Sequence, residues 1–159
     1  MAKKQLSPQE VNSQKRLKKR LGSFYTTEAS YVLSGMSVPD NVPLIEPFVG
    51  GKDLIKWAGK KMEMYDNDRR VCEKDSEILF QDTLLNPPVY KDKFVVTNPP
   101  YLARNKNKDK TLYDKYDTND LYKVFIKNIV DGDVSGGILI LPLNFLSGQD
   151  NKIRNYFFN

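Results

Sequence analysis

Between Phe94 and Tyr101 the chain reads Phe-Val-Val-Thr-Asn-Pro-Pro-Tyr, and this stretch limits the fold more tightly than its surroundings do. The apolar, β-branched run of Phe94 to Thr97 is buried-strand sequence, of the kind found in parallel sheets covered on both faces. Open α/β sheets place their ligand sites beyond the carboxyl ends of the strands, so the working edge of such a sheet would carry Asn98, Pro99, Pro100 and Tyr101. Two consecutive prolines hold φ at about −65° and remove two backbone donors, which leaves the carbonyls of Asn98 and Pro99 as acceptors beside the Tyr101 ring. That combination suits a flat ligand bearing an amine.

Asn98-Pro99-Pro100-Tyr101 resembles the catalytic motif of S-adenosylmethionine-dependent amino methyltransferases that modify the exocyclic N6 of adenine in DNA. The chemistry accounts for the motif. An aromatic amine is a poor nucleophile because its lone pair is delocalised into the ring. The side-chain oxygen of Asn98 and the carbonyl of Pro99 can each accept one of its N–H groups and favour a pyramidal, reactive nitrogen. Tyr101 would stack on the base, which must first be flipped out of the duplex. A second Asn-Pro-Pro, at Asn86-Pro87-Pro88-Val89, lacks the aromatic residue and follows no hydrophobic strand; it reads as a loop.

What the chain lacks narrows the chemistry further. With no histidine and the single Cys72, it cannot assemble a zinc site of the usual ligands, a Ser/His/Asp triad or a Cys/His pair, and no metal is expected. No apolar run approaches the roughly 20 residues of a membrane span, and Met1-Ala2-Lys3-Lys4 leads into polar sequence, so the cytoplasm is the expected location and no membrane partner is foreseen. A length of 159 residues suits one domain, and a net charge of +5 with a pI near 9.1 favours a polyanionic partner such as DNA.

Taken in order, Ser7-Pro8-Gln9-Glu10 carries a helix-start signature, and Lys15, Arg16, Lys18, Lys19 and Arg20 fall all round the helix that follows. Residues 1–21 are therefore expected to form a basic leader helix, with a catalytic domain over 22–159. Gly22-Ser23-Phe24-Tyr25-Thr26-Thr27 resembles the segment that precedes the cofactor strand in gamma-ordered amino methyltransferases, which implies contact of Tyr25 and Thr26 with the cofactor. Thr26 or Thr27 would cap a helix through Tyr31 and Leu33. Leu44 to Leu54 reads as strand, glycine turn and helix, the first half of a nucleotide-binding unit. It resembles methyltransferase motif I, implying cofactor contacts by Glu46, Pro47, Phe48 and Gly50. Lys52 stands where related loops carry a small residue, and it either crowds the cofactor or pairs with its carboxylate. Met62 to Tyr65 is the next strand, and Asp66 at its end matches the family position that binds ribose hydroxyls, an acceptor-only group facing two donors. Asp68 is the expected N-cap of a short helix, and Cys72 a small buried residue. Ile78 to Gln81 is a third strand, and Asp82 and Thr83 at its end match the family position where an aspartate accepts from the cofactor adenine's amine; Asp82 could equally cap a turn.

Residues 102–118 show neither helical nor strand period. Their cations, Arg104, Lys106, Lys108 and Lys110, are expected to meet DNA phosphates, with Tyr113 and Tyr116 available to stack on bases. Asn119 and Asp120 would cap an amphipathic helix, Gly136 to Leu141 would form a fifth buried strand, and Ile153, Tyr156 and Phe157 suggest a last helix. The expected fold is thus α/β, a doubly wound, mostly parallel sheet of the class I methyltransferase, Rossmann-like type. Five strands are present where that sheet has seven, and there is no target-recognition domain. A second subunit or a further carboxyl-terminal portion would supply them. The function implied is adenine-N6 methylation of DNA with S-adenosylmethionine, by this chain or by an enzyme of which it is the amino-terminal part. A protein-glutamine or ribosomal RNA methyltransferase and a non-catalytic DNA-binding or partner subunit are the alternatives.

Overall fold

The computed structural model describes residues 25–148 and 152–158. The leader helix expected over 1–21 and the start of the segment that follows it lie outside the described residues. The first elements are helix α1 (Ala29–Val32), strand β1 (Leu44–Glu46), helix α2 (Asp53–Ala58), strand β2 (Met62–Asp66), helix α3 (Arg69–Cys72) and strand β3 (Ile78–Phe80). After them come strand β4 (Phe94–Thr97), a 3-10 turn (Arg104–Lys106), helices α4 (Thr111–Tyr116) and α5 (Leu121–Asp131), strand β5 (Gly136–Leu139) and helices α6 (Asn144–Ser147) and α7 (Lys152–Phe158).

The strands form one parallel sheet in the order β3-β2-β1-β4-β5. The order reverses between β1 and β4, where doubly wound sheets open a crevice at their carboxyl edge. Both faces are covered, as an all-parallel sheet requires. Alternation along the strands sends Ile45 and Val95 to one face with Phe125 and Ile129 of α5. Leu44, Met64 and Val96 go to the other face with Leu54 of α2. The expected Rossmann-like architecture, with five strands at the expected places along the chain, is therefore present.

Several local expectations are corrected. Neither Thr26 nor Thr27 caps α1, which starts after Glu28, a residue in the left-handed region with no side-chain capping bond. Residues 102–118, read as irregular, contain the 3-10 turn and α4. The hydrophobic spacing of that segment is hidden because, of its hydrophobic residues, only Leu102 and Tyr113 are buried. Asp120 precedes α5 but makes no side-chain capping bond to it. β5 is half-exposed rather than buried, because it pairs with β4 alone among the described strands. Cys72 is likewise only half-buried, its Sγ lying 3.6 Å from the Asp66 carbonyl. Asp68 does cap α3, accepting from the Arg70 amide at 3.0 Å. No helix among the described residues is long and apolar enough to cross a membrane.

Candidate active site

β1 ends in Glu46, whose side chain turns inward and is 1% exposed. Its Oε1 accepts from the Phe48 amide at 3.1 Å and from the Thr97 hydroxyl at 2.5 Å, so the ends of β1 and β4 are tied together across the crevice. Oε2 is buried with no hydrogen-bond partner among the described residues. Loss of water pushes the carboxyl up to about 8, the bonds from Thr97 and Phe48 opposing the shift only in part, and nearby Asp66 adds to it.

The loop beyond Glu46 is shaped by Asp66 at the end of β2. Its Oδ2 accepts from the Gly50 amide at 2.8 Å and its Oδ1 from the Asp68 amide at 2.7 Å. Burial raises the Asp66 carboxyl while these amides hold it down. The Tyr25 ring packs on the loop at Gly50, which has φ +51°, and a Cβ there would lie 2.6 Å from Tyr25 Cδ1. Glycine is thus required on two counts, backbone and space. Gly50→Ala is expected to lower stability by about 1–3 kcal/mol and to displace Tyr25, measured as a lower urea midpoint. The Gly50→Ala, Tyr25→Ala pair should recover the steric part of that loss.

Lys52 neither reaches the crevice nor crowds it. It adopts φ +66° ahead of α2 and pairs with Asp75, whose carboxyl is held below the usual range by that contact. Asp82 accepts from the Leu84 and Leu85 amides at 3.1 and 3.2 Å through Oδ1, so the turn-capping expectation is met. Thr83 is buried and donates to the Pro47 carbonyl at 3.2 Å, which brings the loop after β3 against the glycine loop.

At the end of β4, Pro99 and Pro100 are buried while Asn98 and Tyr101 are partly exposed. Asn98 Nδ2 donates to Thr26 Oγ1 at 3.0 Å. Tyr25, Thr26, Phe48, Gly50 and Asn98 consequently line a single small crevice. The Tyr101 hydroxyl lies against both Asn98 Oδ1 and the Ile140 carbonyl, and its one proton serves one of them at a time. The ring meets Tyr122 edge-on at 5.9 Å. Burial and nearby Asp120 raise its ionisation well above the ordinary tyrosine value.

The four cations expected at DNA divide into two kinds. Arg104 pairs with Asp114 at 2.5 Å, and Lys110 folds back onto the carbonyls of Arg104 and Asn107, so both also brace their own segment. Lys106 and Lys108 are exposed. Arg104 and Lys110 line a cavity of about 450 Å³ with Ala103, Asn105 and Asn119. Tyr113, read as a residue available to bases, is instead fully buried. Thr97 was not foreseen as a site residue; a hydroxyl at the last position of an otherwise apolar buried strand was the signal.

A family model described as Eco57I restriction-modification methylase matches residues 48–159. The chain belongs to that family. No curated protein sequence matches it. The family match spans the glycine loop from Phe48, Asp66, Asp82 and the whole Asn98–Tyr101 motif. For this Eco57I-type methylase it carries the reaction, methyl transfer to adenine N6 in DNA, and with it dependence on S-adenosylmethionine. The residues fit that cofactor. The buried Glu46 oxygen, without a hydrogen-bond partner among the described residues, lies at the head of the glycine loop, and the bond from the Gly50 amide to Asp66 holds that loop in place.

Proposed function

We propose that the residues gathered at the β1/β4 reversal divide between cofactor and base. Glu46, Pro47, Phe48, Gly50, Asp66, Asp82 and Thr83, with Tyr25, Thr26 and Asn98, would hold S-adenosylmethionine, which supplies a methyl group on positively charged sulfur. Asn98, Pro99, Pro100 and Tyr101 hold the flipped adenine. Asn98 Oδ1 and the Pro99 carbonyl accept from the N6 amine. The nitrogen so held would take the methyl group, the methyl–sulfur bonding pair staying with sulfur and the surplus N–H proton passing to solvent. Arg104, Lys106, Lys108 and Lys110 line the approach of the DNA backbone.

The observation that carries this reading is the bond from Asn98 to Thr26, because it joins the base-holding motif to the segment packed on the glycine loop. The test is calorimetric titration with S-adenosylmethionine. Asp66→Ala is expected to weaken binding by about 1.5–3 kcal/mol, the size of a hydrogen bond to a charged group. Unaltered affinity would remove Asp66 from the cofactor site.

The reading also gives target recognition, and strands added beside β5, to a second subunit or a further carboxyl-terminal portion. What supports it is the side of β5 that no described strand covers, together with Leu143, 79% exposed, and Leu146, 59% exposed, just beyond it. Open strand edges of this kind favour pairing. The domain division at residue 22 and a cytoplasmic location, where the DNA substrate is reached, belong to the same proposal.

A further inference from the structure

The peptide that follows Tyr101 is held from both sides. The Leu102 amide donates to Asp120 Oδ1 at 3.0 Å. The Leu102 carbonyl accepts from the Tyr113 hydroxyl at 2.8 Å and from the Leu121 amide at 3.3 Å. One residue on, Ala103 bridges Asp120, and the Arg104 amide donates to the Asn119 carbonyl at 2.8 Å. Tyr113 is 0% exposed, so its hydroxyl acts inside the fold and not on DNA. Asp120 stands at the start of α5, where its carboxylate faces the Leu121 and Tyr122 amides and also reaches across to accept from the Leu102 amide.

We propose that Asp120 and Tyr113 are positioning residues that clamp the Leu102 peptide and thereby aim the Tyr101 ring at the target base. The inference rests on the base-stacking role proposed for Tyr101. Its physical content is geometric. Pro100 fixes the backbone on one side of Tyr101 and the clamp fixes it on the other, so the direction of the Tyr101 Cα–Cβ bond is set. Only side-chain rotation is left. That rotation must carry the hydroxyl off Asn98 Oδ1, where it now lies, to free the acceptor for the amine and bring the ring over the base. An error of about 1 Å in such placement costs roughly a hundredfold in rate. A merely structural role, satisfying the buried Leu102 peptide, would affect stability without selecting Tyr101.

The two roles separate under photo-crosslinking. The full chain is irradiated with a single-stranded oligonucleotide carrying 5-iodouracil, the adduct at Tyr101 is quantified by peptide mapping, and total DNA affinity is measured by fluorescence anisotropy. Tyr113→Phe, which removes only the hydroxyl, and Asp120→Ala are each expected to cut the Tyr101 adduct by about tenfold with affinity changed by less than about twofold. Asp120→Asn keeps an acceptor oxygen and is expected to restore the adduct. If Asp120→Ala fails to fold, Tyr113→Phe carries the test. An undiminished Tyr101 adduct in the folded variants overturns the clamp while leaving base stacking intact. A parent chain that gives no adduct at Tyr101 overturns the stacking role and the clamp together.

Discussion

Asn98→Ala is expected to slow methyl transfer to unmethylated DNA by about 10²–10³-fold, the cost of removing one well-placed group that acts on charge developing in the transition state. The size of the effect follows from how the amide is held. Its Nδ2 donates to Thr26, which fixes the flip of the side chain and turns Oδ1 toward Tyr101. Once the Tyr101 hydroxyl has rotated off it, an acceptor held in that way needs no reorientation of its own when the amine arrives. Asn98→Asp keeps an acceptor but loses the donor to Thr26, and should fall between the parent and alanine. Tritium transferred from labelled S-adenosylmethionine to DNA, followed with each variant and whatever partner the activity needs, gives the ratio. An alanine variant within about fivefold of the parent would place the chemistry elsewhere.

Much of this arrangement is legible because it is local. A β-branched run ending in two prolines can be little other than a strand that stops, and a glycine pair after Glu46 can be little other than a tight loop. Asp68 as a cap and α5 as an amphipathic helix follow from the same short-range physics. What sequence could not show is where polar side chains go once distant segments meet. Tyr113 sits among lysines in the sequence and reads as a surface aromatic, yet packing of α4 against α5 buries it and sends its hydroxyl to Leu102. Asp120 has the residue type and place of a helix cap, but the segment docked beside it offers the Leu102 amide. The apolar run of β5 reads as buried, and its pairing with β4 alone among the described strands leaves it half-exposed. Lys52 reads as a group facing the cofactor, and Asp75, 23 residues away, draws it off.

Glu46 leads to an effect on stability with a definite sign. Its carboxyl goes from an ordinary 4.5 to about 8 in the folded chain. Below pH 4.5 it is protonated in both states and the shift contributes nothing. As pH rises from there the unfolded chain gives up its proton while the folded chain keeps it, so the folded state loses about 1.4 kcal/mol per pH unit relative to the unfolded one. The loss is complete once pH passes about 8, where the folded group ionises too. Over the whole window it is on the order of 3–5 kcal/mol, a large fraction of a domain's stability. Among the described residues, Asp66 at the end of β2 and the Tyr90 phenol are the titratable groups that interact with it, and neither supplies a positive charge to relieve the cost. Glu46→Gln cannot ionise, so urea midpoints of parent and variant are expected to diverge from pH 5 to pH 8 in favour of glutamine. Titrating groups that do not interact with Glu46 cancel in the difference. The unpartnered oxygen sets the baseline, since an amide at the Oε2 position is no better satisfied than a carboxyl, and the change with pH carries the result. Parallel curves would mean that Glu46 is already ionised in the folded chain. The tie from β1 through Thr97 to the catalytic strand would then be made by a buried carboxylate, and a compensating positive charge would have to be found beside it.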